Sequence, residues 1–233
     1  MKIFAFIFAR GGSKGLKNKN VKLFSGKPLL SHSINFAKKL NFIDKIFVSS
    51  ENKKILNIAK KNKVSIISRP KSLASDKSSE WLAWQHAIKY LESQNVYFDV
   101  MVILPCTAPL RNKADIEKCI KKLNKDTDIV VTKTDTSRHP AYNMVQLSKK
   151  GHLKPYINLK KIFFRRQDLP KIYNLCTIAY VTRPKYVLKN KHLFGGKVSF
   201  VNIPQARSID IDSKTDFKMA EILFKLQKDK NYA

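Results

Sequence analysis

The sequence predicts a three-layer α/β fold with a mostly parallel sheet, and three observations support this prediction. Residues 3–9 (IFAFIFA) form an apolar run without alternation, which is typical of a central strand buried on both faces. A glycine-rich loop follows this run directly, at the edge where parallel sheets bind ligands. Strand-like and helix-like patterns then alternate up to residue 133, which favours right-handed crossovers between parallel strands.

The elements of the first part follow from periodicity. Apolar side chains recur at helical spacing over residues 29–40, and Pro28 suits the first turn of that helix. Further helices are predicted around residues 55–59, 81–91 and 116–123, and further strands over 43–50, 64–68, 100–104 and 129–133. The strand over residues 129–133 is expected to complete the first sheet. Trp81 and Trp84 are expected in the core rather than as a stacking platform.

The alternation breaks after residue 134. Residues 135–175 show short strand-like pieces and polar turns, so we expect them to form an inserted lobe. Two strands (173–181 and 198–203) and a helix through residues 217–226 follow. The 233 residues are therefore predicted to form a single domain, 1–233, that carries this lobe.

The composition limits the class of protein. A net charge of +29 raises the alternative of a basic nucleic-acid-binding protein. However, only eight of the 46 basic residues are arginines, and most of these lie in the motifs described below rather than on one predicted surface. No apolar segment is long enough to span a membrane. The three cysteines lack C-x-x-C spacing, which favours a reducing cytoplasm and no zinc site.

The loop after the first strand has the chemistry of a phosphate site. Residues 10–15 (RGGSKG) let the backbone N–H groups approach an anion, while Arg10, Lys14 and Lys19 supply positive charge. The spacing matches neither the Walker pattern nor G-x-G-x-x-G. The alternative is an ordinary turn in a lysine-rich protein.

Residues 209–212 (IDID) are a second functional candidate. In an extended segment Asp210 and Asp212 project to one side while Ile209 and Ile211 face the core. Two carboxylates without histidine or cysteine neighbours suit a hard cation such as Mg²⁺. The alternative is that Asp212 caps the last helix and Asp210 is a surface charge. Asp216 is expected on the ordinary surface of that helix.

Five motifs together resemble the acylneuraminate cytidylyltransferases, the CMP-sialic acid synthetase family. They are RGGSKG followed by Lys-x-Asn (10–20), Arg-Pro with serines (69–79), PCTAPLR (105–111), RRQD (165–168) and IDID (209–212). The resemblance covers essentially all 233 residues. It implies a Rossmann-like nucleotidyltransferase sheet, a homodimer in the cytoplasm, and Mg²⁺ (alternatively Mn²⁺) as cofactor. It also implies that a nine-carbon, nonulosonic-type 2-keto sugar acid attacks CTP, giving the CMP-sugar and pyrophosphate.

The resemblance also assigns residues to these tasks. The nucleotide would be bound by Arg10, Gly11, Gly12, Ser13, Lys14, Lys19, Asn20, Arg69 and Ser78. The sugar would be bound by Arg165, Arg166, Gln167 and Tyr180, and the metal by Asp210 and Asp212. Arg10, Lys19 and Arg166 would be catalytic, with Arg166 reaching the partner's site from the lobe. The alternatives are that Arg166 makes a dimer salt bridge and that Ser78 or Ser79 only caps a helix.

Two departures from the family pattern concern the sugar. Pro105 stands where members that activate sialic acid have a glutamine, and proline has no side-chain amide to offer. Residues 174–177 (NLCT) also differ from the usual family segment. Both indicate a related acid rather than N-acetylneuraminic acid itself. The rival functions are a CMP-Kdo-type synthetase with an eight-carbon acid, a transferase using another nucleotide, and a nucleic-acid-binding protein.

Overall fold

A seven-stranded, mostly parallel sheet with helices on both faces organises the chain in a computed structural model, which describes residues 1–13, 15–161 and 163–227. The predicted fold class is confirmed. The first part contains β1 (Ile3–Phe8), β2 (Leu23–Phe24), β3 (Lys27–Pro28), α1 (Leu29–Lys38), β4 (Lys45–Ser50), α2 (Lys53–Lys61), β5 (Ser65–Ser68), α3 (Glu80–Ser93) and β6 (Val100–Ile103). The second part contains α4 (Lys113–Lys122), β7 (Ile129–Asp135), β8 (Val145–Leu147), β9 (Leu153–Pro155), β10 (Tyr173–Thr182), α5 (Pro184–Lys189), β11 (Val198–Asn202) and α6 (Lys214–Leu226).

The sheet has the strand order β11-β7-β10-β6-β1-β4-β5. Strand β10 runs antiparallel to both β6 and β7, whereas the other neighbours pair in parallel. The prediction that residues 129–133 complete the sheet is therefore wrong, because β10 and β11 also belong to it. The chain leaves the sheet after β7 and returns in the opposite direction, between β6 and β7.

Strand β1 is buried on both faces, as its apolar run predicts. Its alternate residues Ala5 and Ile7 pack in the core layer that also contains residues of α1, α2 and α4. Phe6 and Phe8 face the other layer, which contains Trp81 and Trp84 of α3. Both tryptophans are buried, so their predicted core position is confirmed.

A third cluster fixes the segment before the last helix. Ile211 is fully buried with Phe24 and Phe217, and the Ile211 N–H donates to the carbonyl of Thr107 at 2.9 Å. This contact joins the segment that precedes α6 to the loop that follows β6. Asp210 and Asp212 flank Ile211, so the packing of one isoleucine sets the position of both carboxylates.

Residues between β7 and β10 project from the sheet. They contain the β8–β9 hairpin and a 3-10 turn at Arg166–Asp168. Several large apolar side chains in this part are exposed: Tyr142, Met144, Val145, Leu147, Leu153, Tyr156, Ile157, Leu159 and Phe164. Within the described ranges, every helix is too short or too polar to cross a membrane.

Candidate active site

One cleft at the carboxyl ends of the parallel strands collects residues from distant parts of the chain. It has a volume of about 440 Å³, which lies in the range of small-molecule sites. The sequence-predicted residues that line it are Arg10, Ser13, Lys19, Asn20, Arg69, Ser78, Tyr180, Asp210 and Asp212. The structure thus brings together the glycine loop, the segment after β5 and the two aspartates.

The glycine loop and the aspartates are in direct contact. A Cβ on Gly15 would lie 2.2 Å from the carbonyl oxygen of Asp212, so a residue with a side chain would force the two segments apart. The Lys19 ammonium donates to the carbonyl of Ile211 at 2.5 Å and to Oδ1 of Asp212 at 2.8 Å. Lys19 is therefore a link between the cation-rich loop and the carboxylates, as well as a cation at the cleft.

Glu51 ties the glycine loop to Arg69. Its Oε1 accepts a hydrogen bond from the Gly11 N–H at 2.6 Å, and its Oε2 accepts from Nε and Nη2 of Arg69 at 3.2 and 3.0 Å. The Arg69 and Glu51 side chains are only 4% and 12% exposed. A buried pair of this kind holds its members in one geometry, because separating them would leave a charge unpaired. Glu51 therefore orients Arg69 at the cleft.

Other polar contacts fix the loop's flanks. Arg10 pairs with Asp76 at 2.9 Å, and the Asn20 amide donates to the Arg10 carbonyl at 2.9 Å.

The two serines before α3 differ in position. The Ser78 hydroxyl is buried and has no hydrogen-bond partner in the described part of the chain. Ser79 is the N-cap residue of α3, but its side chain makes no capping bond. The alternative that Ser78 or Ser79 caps this helix is therefore wrong, and Ser78 lines the cleft.

The aspartate pair fits a hard cation. Oδ1 of Asp210 is buried and has no hydrogen-bond partner among the described residues, although Asp210 lines the cleft. Asp212 is exposed there and pairs with Lys19. Carboxylate oxygens are the ligands that Mg²⁺ uses in proteins, so this donor set suits that ion.

The alternative that Asp212 caps the last helix is wrong. Ser213 is the N-cap of α6, and it forms a reciprocal capping box with Asp216. The expectation that Asp216 is ordinary helix surface is also wrong, since its Oδ2 accepts from the N–H groups of Asp212 and Ser213 at 3.1 and 2.7 Å. Hydrogen bonds lower the pKa of Asp216. The largest effect comes from the Ser213 side chain, and the N–H groups of Ser213 and Asp212 add to it.

The part of the cleft formed by β10 and the loop after β6 has few ionisable groups. Pro105, Thr107, Thr177 and Tyr180 line it, and the two threonine hydroxyls lie 3.5 Å apart. Burial raises the pKa of the Tyr180 phenol and raises that of the Cys106 thiol to about 12, so Cys106 is a packing residue.

Arg111 has a structural position behind this wall. It is buried and donates to the carbonyl of Pro105 and to the Ser33 hydroxyl. It therefore holds the turn that places Pro105 against the cleft, and it does not line the cleft itself.

Several predicted residues lie elsewhere. Gly11 and Gly12 do not line the cleft, and Lys14 lies outside the described residues. Arg166 and Gln167 line a separate cavity of about 580 Å³ in the part of the chain between β7 and β10. Arg165 pairs with Asp168 at 2.9 Å. The cleft of this chain is thus assembled without the three sugar-binding candidates of the lobe, Arg165, Arg166 and Gln167.

The sequence analysis missed two acidic residues: Glu51, which contacts Arg69 and the glycine loop, and Glu80, which lines the cleft. Glu51 follows β4 directly, and Arg69 follows β5 directly. Because β4 and β5 are neighbours in the sheet, the strand order would have predicted the contact between Glu51 and Arg69. Glu80 is the first residue of α3, where an acid is usually explained by the helix dipole alone. It lines the cleft beside Ser78.

A family model and the most similar curated relatives all point to the same protein family. The family model described as "Cytidylyltransferase" matches residues 4–231. Pseudaminic acid cytidylyltransferase of Campylobacter jejuni is 32% identical over 228 residues, which cover 97% of each chain. N-acylneuraminate cytidylyltransferase of Streptococcus agalactiae is 28% identical over 93% of this chain and 52% of its own length.

The fold has close counterparts among solved structures. One is CMP:2-keto-3-deoxy-manno-octonic acid synthetase complexed with CTP, with a TM-score of 0.73 and 13% sequence identity. The match covers 97% of this chain and 100% of that chain. At this level of identity the similarity concerns the fold.

Proposed function

The chain belongs to the cytidylyltransferase family, and on this premise we propose that it transfers CMP from CTP to a nine-carbon 2-keto sugar acid. The observation that carries this proposal is the single cleft that Arg10 and Lys19 line together with Asp210, whose buried Oδ1 has no hydrogen-bond partner among the described residues. Cations for a triphosphate and hard-metal ligands are both needed for transfer of a nucleotidyl group. The 32% identical relative, named for pseudaminic acid, supports the nine-carbon class.

In this reaction the anomeric hydroxyl oxygen of the sugar acid forms a bond to the α-phosphorus of CTP. The bond from that phosphorus to the bridging oxygen breaks, pyrophosphate leaves with the electron pair, and the hydroxyl proton passes to solvent. Arg10 and Lys19 would neutralise charge on the phosphates, while Asn20 and Arg69 would hold the nucleotide. Such transfer depends on positioning and charge stabilisation more than on covalent catalysis.

We propose that Asp210 and Asp212 hold Mg²⁺, with Mn²⁺ as an alternative. When bound, the ion would supply charge neutralisation and a lower pKa for a coordinated hydroxyl. Lys19 pairs with Asp212, so the same lysine would keep this carboxylate in place beside the phosphates.

We propose an acid of the pseudaminic or legionaminic type in preference to N-acetylneuraminic acid. Pro105 presents an apolar ring to the cleft, and its carbonyl is already used by Arg111 and Ser33. This wall offers no amide to a sugar hydroxyl, which favours an acid that carries a methyl group and a second acylamino group in place of hydroxyls.

We further propose that residues 135–175 form a dimerisation lobe of the single domain and that Arg165, Arg166 and Gln167 reach the cleft of the partner subunit. The exposed apolar side chains of this region, such as Leu147, Leu153 and Phe164, are the kind of surface that a dimer covers. The three cysteines are free and buried, which supports a cytoplasmic location.

The test is pyrophosphate release with Mg²⁺, crossing CTP, UTP, GTP and ATP against a panel of sugar acids. The panel contains pseudaminic, legionaminic, N-acetylneuraminic, 2-keto-3-deoxynonulosonic and Kdo acids. We expect release with CTP and a pseudaminic- or legionaminic-type acid. Release with Kdo alone would show that the substrate is an eight-carbon acid. Release with UTP alone would overturn the proposal that CTP is the nucleotide.

A further inference from the structure

Glu80 is an acidic residue in a cleft whose proposed ligand is strongly anionic. It is the first residue of the 14-residue helix α3 and lines the same cavity as Arg69 and Ser78. Burial raises the pKa of its carboxyl, while a hydrogen bond with Trp84 and then the charge of Arg69 act in the opposite direction. A carboxylate here would repel a triphosphate, so it suits an uncharged hydrogen-bond donor on another part of the ligand.

Arg69 stands near Glu80 and has one side of its guanidinium committed elsewhere. Nε and Nη2 both donate to Glu51, whereas no hydrogen bond to the described residues uses Nη1. Arg69 lines the cleft and pairs with Glu51 rather than with Glu80. Two cleft-lining side chains therefore offer complementary groups, a donor on Arg69 (Nη1) and an acceptor on Glu80 (the carboxyl).

A cytosine ring carries the complementary pattern on one edge. Its exocyclic amine is a donor, and the adjacent ring nitrogen and carbonyl oxygen are acceptors. Uracil has a carbonyl oxygen in place of that amine, and this oxygen would face the carboxyl oxygens of Glu80 without a proton to share. An acceptor next to a donor thus distinguishes the two pyrimidines by hydrogen bonding alone.

We propose that Glu80 and Arg69 read the base of the nucleotide: Glu80 accepts from the exocyclic amine of cytosine, and Nη1 of Arg69 donates to its acceptor edge. This inference rests on the proposed function, because it takes CTP to be the nucleotide. Glu80 is then the residue that selects CTP over UTP.

The test is the affinity of the full chain for CTP and for UTP with Mg²⁺, measured by calorimetric titration without any sugar acid. The wild type should bind CTP at least about tenfold more tightly than UTP. In Glu80→Gln the amide can present either its oxygen or its N–H₂, so CTP affinity is retained and the preference falls to roughly threefold or less. In Glu80→Ala, CTP affinity itself should fall about tenfold.

The matched control is Glu92→Gln on the same helix, which lies outside the cleft and should keep the wild-type ratio. Circular dichroism of each variant establishes that it is folded. An unchanged CTP:UTP ratio in Glu80→Gln would overturn the inference while leaving the cytidylyltransferase proposal intact. Equal losses for CTP and UTP would place Glu80 at the ribose and overturn base reading. A wild type that binds no nucleotide would overturn both proposals.

Discussion

Glu51 shows how one buried side chain supports several residues of a site. Its two oxygens hold the N–H of Gly11 and the guanidinium of Arg69. Because Glu51 and Arg69 directly follow two strands that are neighbours in the sheet, a small shift of this carboxylate would disturb both the loop and the arginine. Glu51 is therefore a positioning residue rather than one that contacts the substrate.

Glu51→Gln should weaken both stability and nucleotide binding. The amide can still accept from Gly11, but Arg69 would become a buried cation without a counter-charge, which costs about 3 kcal/mol or more. We expect a lower midpoint of urea unfolding and a roughly tenfold weaker affinity for CTP. The control is Glu117→Gln, whose pair with Lys113 is half exposed and contributes little. Wild-type stability in Glu51→Gln would show that the pair does not organise the site.

Asp210→Asn and Asp212→Asn should each nearly abolish turnover without unfolding the protein. Each change removes a negative charge from the proposed metal site, which lowers the affinity for Mg²⁺ and the rate together. The measurement is pyrophosphate release over a Mg²⁺ titration, with thermal unfolding as the check on folding. Asp126→Asn, an exposed turn position, is the control. Wild-type-like activity of either variant in saturating Mg²⁺ would contradict the metal assignment.

The site residues that stand in recognisable motifs could be predicted from the sequence, whereas isolated acidic residues could not. Arg10, Lys19, Arg69, Asp210 and Asp212 stand in motifs, and all of them line the cleft. Glu51 and Glu80 follow a strand and begin a helix, where acids are common for local reasons. Their contribution depends on which strands are neighbours, and this is a property of the fold.

At the scale of elements, the start of α6 fixes the segment that carries the proposed metal ligands. The capping box of Ser213 and Asp216 ends the extended residues and begins the helix, and Asp216 also accepts from the N–H of Asp212. The helix start and the position of Asp212 are therefore coupled. Asp216, which was predicted on the ordinary surface of the helix, therefore holds the backbone of Asp212 in place.

Asp216→Asn should lower stability in a pH-dependent way. The pKa of Asp216 is lowered in the folded protein, so its ionised form stabilises the fold above the ordinary aspartate pKa of about 3.9. This contribution is lost as the pH falls through the lowered folded value. The difference in unfolding free energy between wild type and variant should thus be constant near neutral pH and shrink below about pH 4. A difference that persists unchanged at pH 2 would contradict this account.

Elements with strong periodicity were predicted closely, whereas their arrangement was not. The observed β1, β5 and β6 begin or end within one residue of the predicted strands. The position of β10 between β6 and β7 was missed, because hydrogen-bonded neighbours in a sheet leave no mark in local sequence. The antiparallel strand matters to the site, since it carries Thr177 and Tyr180 into the cleft.

At the scale of the whole molecule, four of the eight arginines are engaged in contacts within the fold and cannot contribute to a nucleic-acid surface. Arg69 and Arg111 are buried, Arg183 donates to carbonyls at the end of α4 and beyond, and Arg207 pairs with Asp115. A nucleic-acid-binding protein would instead present its arginines together to solvent. The high net charge is therefore carried mainly by lysines outside the site.

Arg166→Ala tests whether two chains build one site. Arg166 lies outside the cleft of its own chain, so the proposed function needs it from a partner. The variant should bind CTP and remain dimeric but lose turnover. Mixing it with Asp210→Asn should restore roughly a quarter of wild-type activity, because half of the dimers are mixed and each holds one intact site.

The control for this experiment is a mixture of Asp210→Asn with Asp212→Asn, whose defects lie in the same site and cannot complement. Full activity of Arg166→Ala as a monomer would show that the arginine serves only the contact between subunits. Absence of recovery in the mixed dimers would contradict a shared site.

If this cleft joins CMP to a sugar acid, the two products must form in equal amounts, and their stoichiometry can be measured. CTP, Mg²⁺ and pseudaminic acid are incubated with the full chain, and the CMP-sugar is quantified by mass spectrometry alongside the released pyrophosphate. We expect one CMP-sugar for each pyrophosphate and neither product when the acid is omitted. Pyrophosphate without a CMP-sugar, or neither product with any nine-carbon acid of the panel, would contradict it.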